Sequence, residues 1–388
     1  MKIAMMVRGY LPTPHPKDMV YAPAELAYNI AHGLAASGHQ VTFFGPQGTH
    51  IPGVKVETLD LRAHVHDQKE FGELTGDTEK LMHYVPALWD KRYASAMFTR
   101  AERGEFDLLF FHHPEVALDL APLFPDVPVA YTLHDPIFNW YRDLFDLYAS
   151  SNQHFISVSD SQRRDAPDLS FCATVYHGTD VSQFSYEPEH EDYLLFAGRL
   201  TPDKGVKEAI SVAKQSGRRL FIIGPIPDVY QEYFNQYVKP ELNDKILYLG
   251  FMEQEQLVKY YQKAAALLLP LQGPETFGLV MIEAMACGTP VIALRRGPVP
   301  EIVVDGKTGF ACDHVQDMVE AVDKLDQINR KDCRRHIEQN FTIKNMVGAY
   351  DRTFRAILKH EDAALTPIKQ AKKKLRRLPS QLTRKFKL

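Results

Sequence analysis

Residues 34–46, LAASGHQVTFFGP, and residues 213–225, AKQSGRRLFIIGP, follow one plan: the end of a helix, a glycine turn, an apolar strand and a closing Gly-Pro. Each is preceded by an apolar strand, 2–7 or 193–197, and by a segment of helical periodicity, 24–37 or 206–216. Strand, helix and strand in that order open a parallel, doubly wound sheet. Because the opening occurs twice, and because 388 residues are too many for one hydrophobic core, the chain is expected to form two domains. Further apolar strands are expected at 107–111, 129–133, 154–159 and 173–177 in the first and at 246–249, 266–269 and 290–294 in the second. Between them, residues 182–192, SQFSYEPEHED, are polar and aperiodic, the mark of a linker. The expected class is α/β, with two Rossmann-like doubly wound parallel-sheet domains, 1–182 and 190–341, facing a central cleft. A binding site belongs at the carboxyl ends of the strands.

Hydrophobic residues make up 45% of the chain and charged ones 24%, the balance of a globular body. No apolar run reaches membrane-spanning length and the opening apolar stretch is too short for a signal peptide, so a cytoplasmic protein is expected. Cys172, Cys287, Cys312 and Cys333 are far apart and fit neither a zinc site nor a disulfide framework. Nine of the 45 basic residues fall in 369–387, leaving 36 against 49 acidic ones, about −13, so any anion affinity of the body must be local. That basic tail, 363–388, spaces Leu375, Leu378, Leu382 and Phe386 at near-helical intervals. Two readings fit it: a segment 367–388 lying peripherally on an anionic membrane surface, or a disordered basic tail around Pro379. No aromatic-interleaved platform accompanies the charge, so nucleic acid is not an expected partner.

Three segments carry the chemistry. In GRLTPDKG, 198–205, Arg199 and Lys204 lie five residues apart at a strand's carboxyl end and suit two neighbouring phosphates, although solvated loop charges would look the same. In PETFGLVMIEAMACGTPVIA, 274–293, Thr276, Phe277 and Gly278 stand where a helix begins, so free amides would face an anion. Glu275 and Glu283 are carboxylates in otherwise apolar surroundings; a polyhydroxylated ligand donating paired hydrogen bonds to them would offset the cost. A capping Glu275 and a core Glu283 paired with an arginine is the structural alternative. Neither first βα turn carries GxGxxG, which argues against an NAD dehydrogenase. The pair His112-His113 is read as loop structure.

These segments, together with GPVPEIVVDGKTGF, SGHQVTFF, YTLHD (131–135) and HGTDVSQF (177–184), resemble the retaining glycosyltransferases of family 4, with the E-x7-E motif as Glu275 and Glu283. The resemblance implies a GT-B fold and transfer of a hexose-type sugar from a UDP- or GDP-sugar to a hydroxyl acceptor. No DxD-like pair with a metal environment emerges, so neither metal nor cofactor is expected; the resemblance implies retention of configuration, with front-face departure of the diphosphate expected over nucleophilic attack by Glu275. Arg199 and Lys204 would neutralise the leaving group, Thr276 to Leu279 would hold phosphate and sugar, Glu283 the ribose and Glu275 the transferring sugar. Gly198, Gly224 and Phe251 would line the nucleotide, and His134, after the strand VAYTL, would face the donor sugar. Asp135, Phe138, Trp140 and Tyr141 would meet the acceptor, unless they form a local packing cluster. A terminal helix, about 342–360, would cross back onto the first domain. One departure is Ala22-Pro23 where relatives carry Gly-Gly, which leaves Gly9 as the nearer backbone. A non-catalytic nucleotide-sugar sensor, a nucleotide-sugar epimerase and a phosphorylase are the rival readings.

Overall fold

The computed structural model describes residues 1–16, 19, 21–76 and 85–364. The basic tail, with its membrane-surface reading, lies outside the described residues. The chain divides into two units: one of residues 1–157, 166–175 and 347 onward, the other of 158–165 and 176–346. The division falls at 175/176 and inside the terminal helix rather than in the polar stretch 182–192, and the short segment 158–165 groups with the second unit.

The first unit is built on seven parallel strands in the order β3-β2-β1-β4-β5-β6-β7. They are β1 (Lys2–Met6), β2 (Gln40–Phe44), β3 (Lys55–Glu57), β4 (Leu108–Phe111), β5 (Val129–Thr132), β6 (Gln153–Ser157) and β7 (Phe171–Thr174). The second has six in the order β10-β9-β8-β11-β12-β13: β8 (Tyr193–Ala197), β9 (Arg219–Ile223), β10 (Ile246–Tyr248), β11 (Ala266–Leu269), β12 (Val291–Leu294) and β13 (Gly309–Cys312). The two short edge strands β3 and β13 carry no long apolar run and are not legible in the sequence. Both sheets turn back at their first strand, and a crevice outside the strands' carboxyl ends forms there, between β1 and β4 and between β8 and β11.

The helices form for ordinary reasons. In Val206–Ser216, Val206, Ala209, Ile210, Val212 and Ala213 are buried, and Gly217 at φ 69° ends the helix. Packed on β8, where all five residues are buried, that helix closes one face of the second sheet. The terminal helix expected at about 342–360 is Ile343–Ala364, and a separate helix, Arg330–Asn340, precedes it. The break falls where Thr179 pairs with the chain at Phe341 and Thr342, taking the Phe341 carbonyl at 2.8 Å and leaving no room for a continuous helical ladder. Among the described residues no helix is long and apolar enough to cross a membrane.

Candidate active site

In the second unit the crevice loop after β8 is fastened to the loop after β11, backbone to backbone. The Asp203 carbonyl accepts from the Gln272 and Gly273 amides at 2.7 and 3.0 Å. Gly205, at φ 77°, lies so close to Pro270 that a β-carbon would stand 1.9 Å from its carbonyl oxygen, so no other residue fits. This fastening brings Lys204 to Glu275: Nζ donates to Oε2 at 2.7 Å, with the side chains only 19% and 16% exposed. The other carboxylate oxygen accepts from the amides of Thr276 and Phe277 at 3.0 and 3.3 Å. Gly278, at φ 80°, then turns the chain into the helix Leu279–Ala286. Glu275 therefore precedes the helix, and its charge is offset by an ammonium and by two backbone amides ahead of the helix.

Glu283 lies within that helix, partly buried, and its Oε2 accepts from the Tyr261 hydroxyl at 3.0 Å. Tyr261 is fully buried; burial and then the Glu283 charge hold its hydroxyl protonated far above the usual range. Nothing in the sequence marks Tyr261, the second of two tyrosines on the helix Gln254–Lys263. Arg199 is exposed on the same loop as Lys204, and Thr201 between them buries a hydroxyl that makes no hydrogen bond. The amide of Gly198 is spent on Ile223, and Gly224 gives its amide to Gly250 and its carbonyl to Tyr248, so neither amide is left for a ligand. Phe251, just beyond, is 38% exposed. Phe277 turns its ring inward against His177, with centroids 4.9 Å apart, and offers a ligand only its backbone. Arg296 donates to the Leu271 carbonyl at 2.8 Å and steadies the same loop.

In the first unit the crevice gathers the ends of β1, β4 and β5. Arg8 sits between Asp90, at 3.0 Å, and Glu115. Gly9 gives its amide to Asp90, and a side chain there would meet Tyr93 and the Trp89 backbone, so packing accounts for this glycine. The helix Ala22–Ala36 starts at Ala22-Pro23, and Tyr21 before it bonds through its hydroxyl to His113 Nε2 at 2.7 Å. His134 stands at the end of β5, hydrogen-bonded at 2.9 Å to His112. The pair His112-His113 is thus part of this crevice rather than loop structure; both imidazoles are buried because β4 delivers them to its carboxyl end. Asp135, Phe138 and Trp140 are exposed, but Tyr141 is buried. The helix Asn139–Leu147 puts Tyr141 and Phe145 on its inner face at i, i+4, and the Tyr141 hydroxyl reaches Glu115 at 3.4 Å.

Burial pushes His134 down to about 3 and holds His113 well below the imidazole range, with Arg8 and the other two histidines adding repulsion there. Both rings are neutral in the folded state, whereas they protonate near pH 6.5 once unfolded. Between those values the unfolded state binds more protons, so stability rises with pH and is lost as pH falls from about 6.5 toward 3. The thermal midpoint of the wild type should drop over that window, and His113→Asn should make the drop shallower; an unchanged slope would sink this assignment.

Two parallel-sheet α/β units, each doubly wound, give the chain the architecture of the GT-B class. Residues 24–183 match Glycosyltransferase Family 4 and residues 179–342 match Glycosyl transferases group 1. The chain belongs to this group 1/family 4 class of glycosyltransferases and is a transferase. It is 23% identical over 371 residues to the N-acetyl-alpha-D-glucosaminyl L-malate synthase of Bacillus anthracis, covering 84% of this chain and 92% of that protein. It is 29% identical over 185 residues to the lipopolysaccharide 1,2-N-acetylglucosaminetransferase of Salmonella typhimurium, 43% of this chain and 47% of that one. Among solved structures, sucrose-phosphate synthase of Thermosynechococcus elongatus aligns with a TM-score of 0.72 at 16% identity, over 93% of this chain and 100% of that one. HepE of Anabaena, in complex with UDP and glucose, aligns with a TM-score of 0.66 at 16% identity, over 92% and 100%.

Proposed function

We propose that the enzyme moves a hexose-type sugar from a UDP- or GDP-linked donor to a hydroxyl acceptor, with retention of configuration and without a metal. The observation that carries this reading is the Glu275 carboxylate held between the Lys204 ammonium and the amides of Thr276 and Phe277. A ligand arriving there with a diphosphate and sugar hydroxyls has partners for both: phosphate oxygens take Lys204, Arg199 and the amides, and hydroxyls take the carboxylates of Glu275 and Glu283. As the bond from the anomeric carbon to the phosphate oxygen breaks, charge grows on the diphosphate, and fixed cations and dipoles stabilise it. The departing phosphate oxygen takes the proton of the acceptor hydroxyl as that oxygen bonds to the anomeric carbon on the same face. His134, at the end of a strand in the first unit, is assigned a catalytic role. Asp135, Phe138 and Trp140, exposed at the end of the same strand, meet the acceptor. The solved HepE complex with UDP and glucose supports trying UDP-sugars first.

The reading is tested with a panel of UDP- and GDP-sugars, measuring release of the nucleoside diphosphate with and without EDTA. One donor should be turned over, at rates within about twofold in both conditions. Loss with EDTA and recovery with Mg²⁺ or Mn²⁺ would remove the metal-free mechanism, and binding of no donor would remove the nucleotide-sugar reading.

A further inference from the structure

His134 does not stand alone at the end of β5. Its Nε2 lies 2.9 Å from Nδ1 of His112, and the two rings are parallel within 9°, with centroids 5.2 Å apart. His112 is fully buried and its ring packs on Phe110 at 4.6 Å, which is packed in turn on Tyr350 and Phe354 at 5.4 and 5.0 Å. His134 is only partly buried and lines a small open pocket with His112, Asp135, Ile137 and Tyr141. One ring of the pair is thus anchored in the core and the other borders solvent.

We propose that His112 is a positioning residue for His134, holding its ring plane and committing it to one tautomer through the shared hydrogen bond. The inference rests on the reading of His134 as a catalytic imidazole. Two imidazoles joined by one hydrogen bond share one proton along it, so one ring donates and the other accepts. Either arrangement commits Nε2 of His134 to His112, and whether Nδ1 carries a proton follows from that choice. A catalytic nitrogen must be either a donor or an acceptor at the moment of transfer; a ring that alternates between the two spends part of its time in the wrong state. The anchoring of His112 is itself the restraint, since rotation of His134 about its side-chain bonds would break the hydrogen bond to a neighbour that cannot follow. The effect belongs in the chemical step rather than in donor binding.

The first measurement is on the wild type. In protein labelled with ¹⁵N-histidine, the His134 resonances, identified by their absence from His134→Ala, should show one protonated and one bare nitrogen; averaged shifts would overturn the proposal without any variant of His112. Kinetics follow. His134→Ala should lower kcat, and His112→Leu should lower it by about 10–100-fold with donor KM within about twofold. His112→Asn, which can place an amide close to the lost Nδ1, should recover most of the rate. Combining His112→Leu with His134→Ala should cost no more than His134→Ala alone. If His134→Ala is silent, the reading of His134 itself falls; if it is impaired while His112→Leu is not, only the positioning role falls.

Discussion

Glu275→Gln is expected to lower turnover by about a thousandfold while leaving the affinity for the nucleoside diphosphate undiminished. The substitution keeps the size of the side chain and removes its charge. That charge occupies Lys204 and the amides of Thr276 and Phe277, the same groups a diphosphate would use. Removing it leaves the ammonium only its longer contact with Asp203, at 3.8 Å, which favours an anionic ligand. Turnover suffers because an interaction realised at the reacting sugar is lost; single preorganised groups of this kind are worth about 10² to 10³ in rate, and loss of the carboxylate also frees Lys204 from its fixed position. Diphosphate release measured beside calorimetric titration with UDP or GDP separates the two effects. Retained turnover would take Glu275 out of the mechanism, and a large loss of nucleotide affinity with unchanged kcat would make it a binding residue only.

The second large effect is on stability. Arg330 is 7% exposed and pairs with no carboxylate among the described residues. Its guanidinium is spent on neutral oxygens: Nε on the Glu187 carbonyl at 3.0 Å, Nη1 on Ala264 at 2.9 Å, Nη2 on Gln262 at 2.6 Å and on the Thr289 hydroxyl at 2.9 Å. Arg330→Met fills much of the volume but strands these acceptors, and buried acceptors without donors cost about 1–3 kcal/mol each before relaxation. A net loss of about 3 kcal/mol is expected, a fall of roughly 6–12 °C in the midpoint of a unit this size. The consequence reaches the site, because Thr289 also donates to the Tyr261 carbonyl and Tyr261 holds Glu283. Differential scanning fluorimetry checks the first part, and nucleotide affinity at a temperature where the variant stays folded checks the second. A midpoint within about 2 °C of the wild type would show that water or a shifted backbone satisfies the acceptors.

Much of the architecture was readable from the chain itself. The two strand-helix-strand openings recur at sequence level because every element in them is long, apolar and punctuated by glycine. The edge strands Lys55–Glu57 and Gly309–Cys312 escape notice for the opposite reason: KVE and GFAC carry no long apolar run, whereas the similarly short edge strand Ile246–Tyr248 does stand in one. Of the aromatics after β5, helical periodicity, once the origin of Asn139–Leu147 is known, sends Tyr141 inward while Phe138 and Trp140 stay out.

The sequence by itself determined that there are two doubly wound domains, where their crevice loops lie and which charged residues populate them, since strand apolarity, glycine turns and motif spacing are local properties. Tertiary structure alone decided the partnerships. Lys204 meets Glu275 across 71 residues because two loops are fastened through Gly205 and Asp203, Glu283 finds Tyr261, and His112 lies against His134 because β4 and β5 are neighbours in the sheet. Each of these contacts is a short-range force between groups distant in the chain, and only packing brings such groups within its reach.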